Sequence, residues 1–353
     1  MPRSARAARA ERDVVRLCHN GLTGDALRGD VLRALRRLLP VDAAFLATAD
    51  PDTLLFTGAW PEEPLGAVTR LFLENEFGAR DVNRFATLAT SARHVATLDG
   101  ATRRDRAASE RYREIMRPLG LGDELRAALV AGADCWGYLC LHREDGELGF
   151  TAAEAATLGR IAPHLAQALR MSVLLHGTAA DDVAGPGVVL LDDELETVAT
   201  TPDADRLLSP AEGVSGRLPL PVYAVARALQ AIEGGTASSS VLPRARVRTS
   251  SGTWISLAAA RLNGAAGEGR LAVVVEPVEP RAAAPLLLSA HGLSPRETEV
   301  VRLVLRGLPT RSIAAELHIS GHTVQDHLKA VFDKVGVRSR PELVGLLLSP
   351  PGG

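Results

Sequence analysis

The segment from Leu293 to Leu348 constrains the fold more than any other, because helix starts and stops follow one another there with little room between them. In Leu293-Ser-Pro-Arg-Glu297, Ser294 is placed as an N-cap and Pro295 at the first helical position, where its missing N–H costs nothing. Glu297 then stands at the third position and completes a capping box. Val300, Val301 and Val304 give this helix an apolar face, and Gly307 ends it. A second short helix is expected from Thr310 to Leu317, then a tight turn at His318-Ile319. A third helix runs from Gly321 to about Val335 behind the cap residue Ser320. Pro341 to Leu348 reads as a fourth. None of these helices can bury its apolar stripe alone, so they must pack on one another, which predicts an all-α four-helix domain over 289–349.

The third helix has a second face. Val324, Leu328 and Val331 form the stripe that packs inward, so Gln325, Asp326 and Lys329 point outward together. His327 is expected to pack half-buried. Lys329 and Lys334 are the only lysines in the chain, every other strong base being arginine. Without an upstream lysine there can be no G-x-x-x-x-G-K-[ST] phosphate loop and no ATPase module built on one. A receiver domain, which as a family relies on a lysine, is excluded from the first 280 residues on the same ground. The net charge of −2 argues against a uniformly basic protein, yet Ser289 to Ser349 carries eight basic residues against six acidic ones. That tail is mildly basic.

With 353 residues, 46% of them hydrophobic, the chain is long enough for two or three domains. Two stretches have linker composition: His176 to Gly187, small and acidic, and Glu276 to Pro285, rich in proline. They divide the chain into an N-terminal arm or helix (1–19), a mixed domain (20–175), a second mixed domain (188–278) and the helical tail. No internal repeat of fixed period is visible. In the first mixed domain, strands are expected at Val41–Thr48, Leu125–Gly132 and Trp136–His142, and a capping box at Thr151/Glu154 opens a long helix interrupted by Pro163. In the second, strands are expected at Gly187–Leu191, Ala245–Thr249, Trp254–Leu257 and Leu271–Val275, with a helix from Pro202. Arg244, Arg246 and Arg248 read as the wet face of an edge strand. Both domains are of the α+β class, antiparallel sheets with flanking helices. The longest apolar runs fall far short of the roughly 18 residues of a membrane span, and no apolar stretch follows the N-terminal arginines, so a cytoplasmic protein that does not engage a membrane is expected.

Three cysteines are too few for a disulfide framework. Cys135 and Cys140 lie five residues apart on an expected strand, which puts their sulfurs on opposite faces, roughly 16 Å apart at about 3.3 Å per residue. They are read as structural. No catalytic residue, metal ligand or cofactor is assigned.

The tail closely resembles the LuxR-type DNA-binding domain. The resemblance is carried by Leu293-Ser-Pro-Arg-Glu297 with Glu299-Val300, Gly307-Leu308, Ile313-Ala314, Leu317, Ile319-Ser320, Thr323-Val324, His327-Leu328, Lys334, Gly336-Val337 and Ser339-Arg340. The order of elements from 20 to 175 is similar to a GAF sensor domain, most clearly from Gly120 to Leu169, and the second mixed domain is similar to a PAS fold. These resemblances imply a sequence-specific transcription regulator that binds double-stranded DNA as a homodimer. Gln325, Asp326 and Lys329 would face bases, and Arg311, Ser320, His322, Thr323, Lys334 and Arg338 would face phosphates. Leu343, Val344, Leu347 and Leu348 would meet the second subunit. RNA polymerase and a small-molecule ligand of the sensor domains are the other partners implied. Gln325 stands where the family commonly has lysine, which leaves base reading at Gln325 and Asp326 open. Two other readings stay open as well: a GAF-type enzyme using Cys135 or Cys140, for instance in sulfoxide reduction, and an adaptor that binds only protein.

Overall fold

The computed structural model describes residues 3–20, 24–78, 81–146, 148–175, 185–208, 218–236, 242–249, 253–263, 269–278 and 280–348. Most of the stretch expected as the first linker, 176–184, lies outside them. The chain divides into two compact units, with Pro277 the last residue of the first and Val278 opening the main part of the second.

The first unit begins with α1 (Arg3–Cys18) and α2 (Gly24–Leu38), followed by β1 (Ala43–Ala49), β2 (Phe56–Pro61), α3 (Thr69–Gly78) and α4 (Phe85–Thr90). Next come β3 (Val95–Thr97), α5 (Leu98–Ala101), β4 (Leu121–Ala131), β5 (Asp134–Glu144) and α6 (Ala152–Leu175). The five strands form one antiparallel sheet in the order β2-β1-β5-β4-β3. The expected capping box opens α6, with Thr151 Oγ1 accepting from the Glu154 amide at 3.2 Å and Glu154 accepting from the Thr151 amide at 2.8 Å. Pro163 stands inside this helix without ending it. Leu169 on α6 lies so near the sheet that a Cβ added at Gly137 would meet its Cδ1 at 2.6 Å and the carbonyl oxygen of Ala47 at 2.3 Å. Only glycine fits at that crossing.

A second antiparallel sheet follows, from β6 (Gly187–Leu191), β7 (Thr197–Thr200), α7 (Pro202–Leu207), α8 (Leu220–Glu233), β8 (Arg244–Arg248), β9 (Trp254–Leu262) and β10 (Arg270–Pro277). Its order is β7-β6-β10-β9-β8. Numbered from its own first strand, this is the wiring of the first sheet: strand two, one, five, four, three. The α+β class expected for both regions therefore holds, and the wiring repeats where the sequence shows no repeat. Helix α8 was not anticipated. Val222, Val225 and Ala228 on its buried face pack into the same core as Val189, Leu257 and Val273.

Three local expectations are corrected. First, Cys135 and Cys140 share a face. The β4–β5 register pairs Leu129 with Gly137 but Val130 with Cys135, so Trp136 is an extra residue that reverses the alternation. Cys135 thereby rejoins Tyr138 and Cys140 in one core cluster. Second, Arg246 is not wet. Edge strand β8 turns it onto β1's end, where it donates to Asp50 from its amide at 2.8 Å and from its guanidinium at 2.9 and 3.1 Å, and to Asp52 at 2.6 Å. With Tyr223 Oη donating to Glu74 at 3.1 Å, this pair ties the two sheets into one unit. Third, the proline-rich stretch is largely helix, α9 (Pro280–Ala290). Ala284 and Leu288, one helical turn apart, bury in the C-terminal core, and this burial outweighs Pro285.

The second unit continues with α10 (Pro295–Leu305), α11 (Thr310–Glu316), α12 (Gly321–Val335) and α13 (Arg340–Leu348). The capping box at Ser294 and Glu297 forms as read, with Pro295 at the first position. Val300, Val301, Val304, Ile313, Val324, Leu328, Val331 and Leu343 share one core. Gly307 at φ +81° and Gly336 at φ +79° take the left-handed conformation that stops α10 and α12.

Candidate nucleic-acid interface

Helix α12 is held in place from both ends. Ser320 accepts from the Thr323 amide at 3.0 Å, and Thr323 Oγ1 lies 2.9 Å from the Ser320 hydroxyl. At the other end Gly336 donates to Phe332. The turn that brings α11 to α12 has His318 at φ +52°, a strained conformation for a non-glycine residue, and the amide of Ile319 closes it onto Ala314 at 3.0 Å. Arg296 caps α11 from α10, donating to the Leu317 carbonyl at 2.6 Å.

Val324, Leu328, Val331 and Val335 are buried, so the opposite face of α12 is left to Gln325, Asp326 and Lys329, all exposed. Gln325 Nε2 donates to Thr310 Oγ1 at 3.3 Å, which ties the start of α11 to α12 and leaves the rest of the amide outward. Asp326 is not paired to a lysine. Its carboxylate is 3.7 Å from His322 Nε2, one turn back, with 88% and 66% of the two side chains exposed, so solvent screens the pair. Arg311, Ser320, His322 and Arg338 are exposed and Thr323 is half-buried; His327 is half-buried, as expected of a packing residue.

Lys334 has another task. Its ammonium sits 2.7 and 2.9 Å from the two carboxylate oxygens of Glu297 and so clamps the end of α12 onto the start of α10. Burial works against the Glu297 charge, but Lys334 and the Ser294 amide overcome it and hold the carboxyl below its ordinary range. On α13, Leu343 and Leu347 are 0% and 1% exposed, so they belong to the core and offer no side chain to a partner. Val344 is partly buried, Leu346 is 48% exposed, and the side chain of Leu348 lies outside the described residues. Thr310 and Leu346 were missed in the sequence. Only the tie to Gln325 singles out Thr310, and Leu346 falls between the two apolar stripes read from spacing.

The interior of the first unit contains a second concentration of polar side chains. Arg111, Glu124 and Arg126 are each 0% exposed. Glu124 accepts from Arg111 at 2.7 and 3.0 Å and from Arg126 Nε at 3.0 Å, while Arg126 Nη1 donates to Glu76 at 2.9 Å and to the Asn83 carbonyl at 2.9 Å. The Arg126 guanidinium lies 4.1 Å from the Phe85 ring centre and 5.1 Å from that of Phe72. Phe45, Phe56, Phe72, Phe85 and Tyr138 pack around one another on this side of the sheet.

Residues 291–347 match the family model described as bacterial regulatory proteins, luxR family, and residues 25–169 match that of the GAF domain. The C-terminal domain is 39% identical over 61 residues to the probable HTH-type transcriptional regulator GfsR of Streptomyces halstedii, covering 17% of this chain and 25% of that protein. It is 44% identical over 57 residues to the transcriptional regulatory protein FixJ of Rhizobium meliloti, covering 16% and 28%. The chain thus spans about a quarter of the length of these curated relatives. Among solved structures, a phycoerythrobilin-bound GAF domain from a cyanobacterial phytochrome is 16% identical, over 48% of this chain and 97% of that one, at a TM-score of 0.34. The chain carries an N-terminal GAF domain and a C-terminal LuxR-type helix-turn-helix domain.

Proposed function

We propose that the chain is a sequence-specific transcription regulator that binds double-stranded DNA through α12 and is controlled through the domains before it. The observation that carries this reading is the exposed trio Gln325, Asp326 and Lys329 on a helix capped at both ends and clamped by Lys334, within a helix-turn-helix. A helix of this width enters a major groove, where Gln325 can pair with adenine and Lys329 with guanine or a phosphate. Asp326 can accept from an amino group of cytosine or adenine. The first amides of α12, those of Gly321 and His322, with the side chains of Ser320, His322 and Thr323, suit a phosphate, as do Arg311 and Arg338. Lys334 is left out of this set because Glu297 already holds it. A chain without a membrane-crossing helix among its described residues suits a partner in solution. RNA polymerase and an effector small molecule are the further partners such a regulator needs.

The full chain should shift a genomically selected DNA site in a gel. Lys329→Ala should weaken that binding and flatten the dependence of log K on log salt by roughly one unit. Asp326→Ala should hold or raise total affinity while lowering discrimination at one base pair by about 1–3 kcal/mol. Unchanged preference at every position in the Asp326 variant would show that this carboxylate reads nothing.

The dimer is the finer part of the proposal, and it rests on the apolar surface that α13 leaves exposed at Leu346 and partly exposed at Val344. Val344→Glu or Leu346→Glu should leave the fold intact by circular dichroism and weaken binding to two half-sites about one turn apart far more than to one half-site. Equal losses on both probes would remove α13 from the interface. The two other readings have less support. Burial pushes the thiols of both Cys135, to about 11, and Cys140 upward, away from a nucleophilic thiolate. An adaptor that binds only protein does not need a polar trio on a capped recognition helix.

A further inference from the structure

Glu124, Cys140 and His142 are brought together by the pairing of two central strands. In the β4–β5 register Glu124 lies opposite His142, and Cys140 precedes His142 by two, on the same face. Cys140 Sγ lies 2.9 Å from Glu124 Oε1 and 3.2 Å from His142 Nε2, and that nitrogen is 4.0 Å from the same carboxylate oxygen. All three residues are at most 1% exposed. From this geometry we propose that Glu124, Cys140 and His142 bind one divalent transition ion of borderline softness, zinc in the first instance.

Three observations carry the proposal. The donor set is one sulfur, one imidazole nitrogen and one carboxylate oxygen, the mixture that zinc takes at about 2.3, 2.0 and 2.0 Å; a tetrahedron of those bonds needs the sulfur about 3.5 Å from each of the others and the nitrogen about 3.3 Å from the oxygen, so the three side chains have to shift by well under about 1 Å. The His142 ring directs its polar contacts one way. Nε2 faces Cys140 and Glu124, while Nδ1 is buried and has no hydrogen-bond partner among the described residues. Charge also balances. Within the ion-pair network Glu76, Asp81 and Glu124 face Arg111 and Arg126 and leave one formal negative charge. A divalent ion that displaces the Cys140 proton adds two positive charges and one thiolate, which brings this network to neutrality. The arginines do not close the site, because Arg111 binds the other oxygen of Glu124 and Arg126 takes one direction on Oε1.

In binding, the Cys140 S–H bond breaks, its proton leaves to solvent, and the sulfur forms a bond to the ion without change of oxidation state. Affinity should therefore rise with pH. The test uses the full chain, purified without a metal-affinity tag, then unfolded with chelator and refolded with Co2+ so that burial does not bar entry. The expected result is about one Co2+ per chain, with a thiolate-to-cobalt absorption band. Cys140→Ser keeps a donor for Glu124 and the fold, and should abolish the band. His142→Gln should weaken binding at least tenfold, and Cys135→Ser should change neither. Absence of the band in refolded wild-type chain overturns the proposal, as does a band that survives Cys140→Ser. Loss of the band in Cys135→Ser, with folding intact, also overturns this ligand set.

Discussion

Arg126→Met should destabilise the first unit by about 3–5 kcal/mol, the cost typical of removing one partner from a buried ionic network. Methionine replaces the guanidinium over Phe72 and Phe85 with a thioether that can still contact the rings. It leaves Glu76 without its guanidinium and Glu124 with Arg111 alone. The loss should appear in urea unfolding as a lower midpoint with an unchanged slope. A second change separates charge from packing: Glu76→Leu in the Arg126→Met background should recover part of the loss, because the stranded carboxylate is then gone. A loss under about 1 kcal/mol for Arg126→Met would mean that water or Arg111 replaces the missing cation, and the network would then not hold the unit together.

In chelator-treated protein, stability should fall as pH drops from about 6.5 to about 4, by on the order of 3 kcal/mol in all. The cause is His142. Burial lowers its imidazole from 6.5 to about 4, and the nearby Glu124 only partly offsets this. Between those two values the unfolded chain binds the proton and the folded chain does not. The sign follows from that difference: stability is complete above the unfolded pKa, and it decreases at about 1.4 kcal/mol per pH unit as acid is added. Glu124 behaves differently. Burial works against its charge, but Arg111 and Arg126 hold its carboxyl far below its ordinary range, so its contribution survives until much stronger acid. Urea midpoints measured from pH 7 to 4 should slope in the wild type and flatten in His142→Gln. Parallel slopes in the two proteins would assign the acid sensitivity to other groups.

How much of this the sequence revealed depended on the range of the interactions involved. In the C-terminal domain the determinants are local: Ser294 with Glu297, Ser320 with Thr323, Gly307 and Gly336 at helix ends, and valines at helical spacing. Each was legible within a few residues, and so was the exposed trio on α12. The clamp between Lys334 and Glu297 spans 37 positions and was not legible. The GAF domain was harder for the same reason. Asp123, Glu124 and Arg126 are charged yet fully buried on β4: Arg111 and Arg126 meet Glu124, Glu76 meets Arg126 from 50 positions away, and backbone amides meet Asp123. The extra residue Trp136 was hidden because a strand's alternation, read alone, carries no record of what its neighbour does. Arg246 repeats that lesson, since its charge is met by Asp50 on another sheet.

The shared wiring of the two sheets also sets a timetable for the nascent chain. In each, the first strand sits in the middle of the sheet and must pair with the last: Phe45 waits for Cys140, and Val189 waits for Val273. At about 5–20 residues per second, synthesis leaves β1 and β2 as a lone hairpin for on the order of 5–20 s before β5 emerges. The second sheet repeats the delay. Each sheet's first strand thus presents an unpaired edge once, two such intervals in the birth of one polypeptide, and these are when a holding chaperone would matter most.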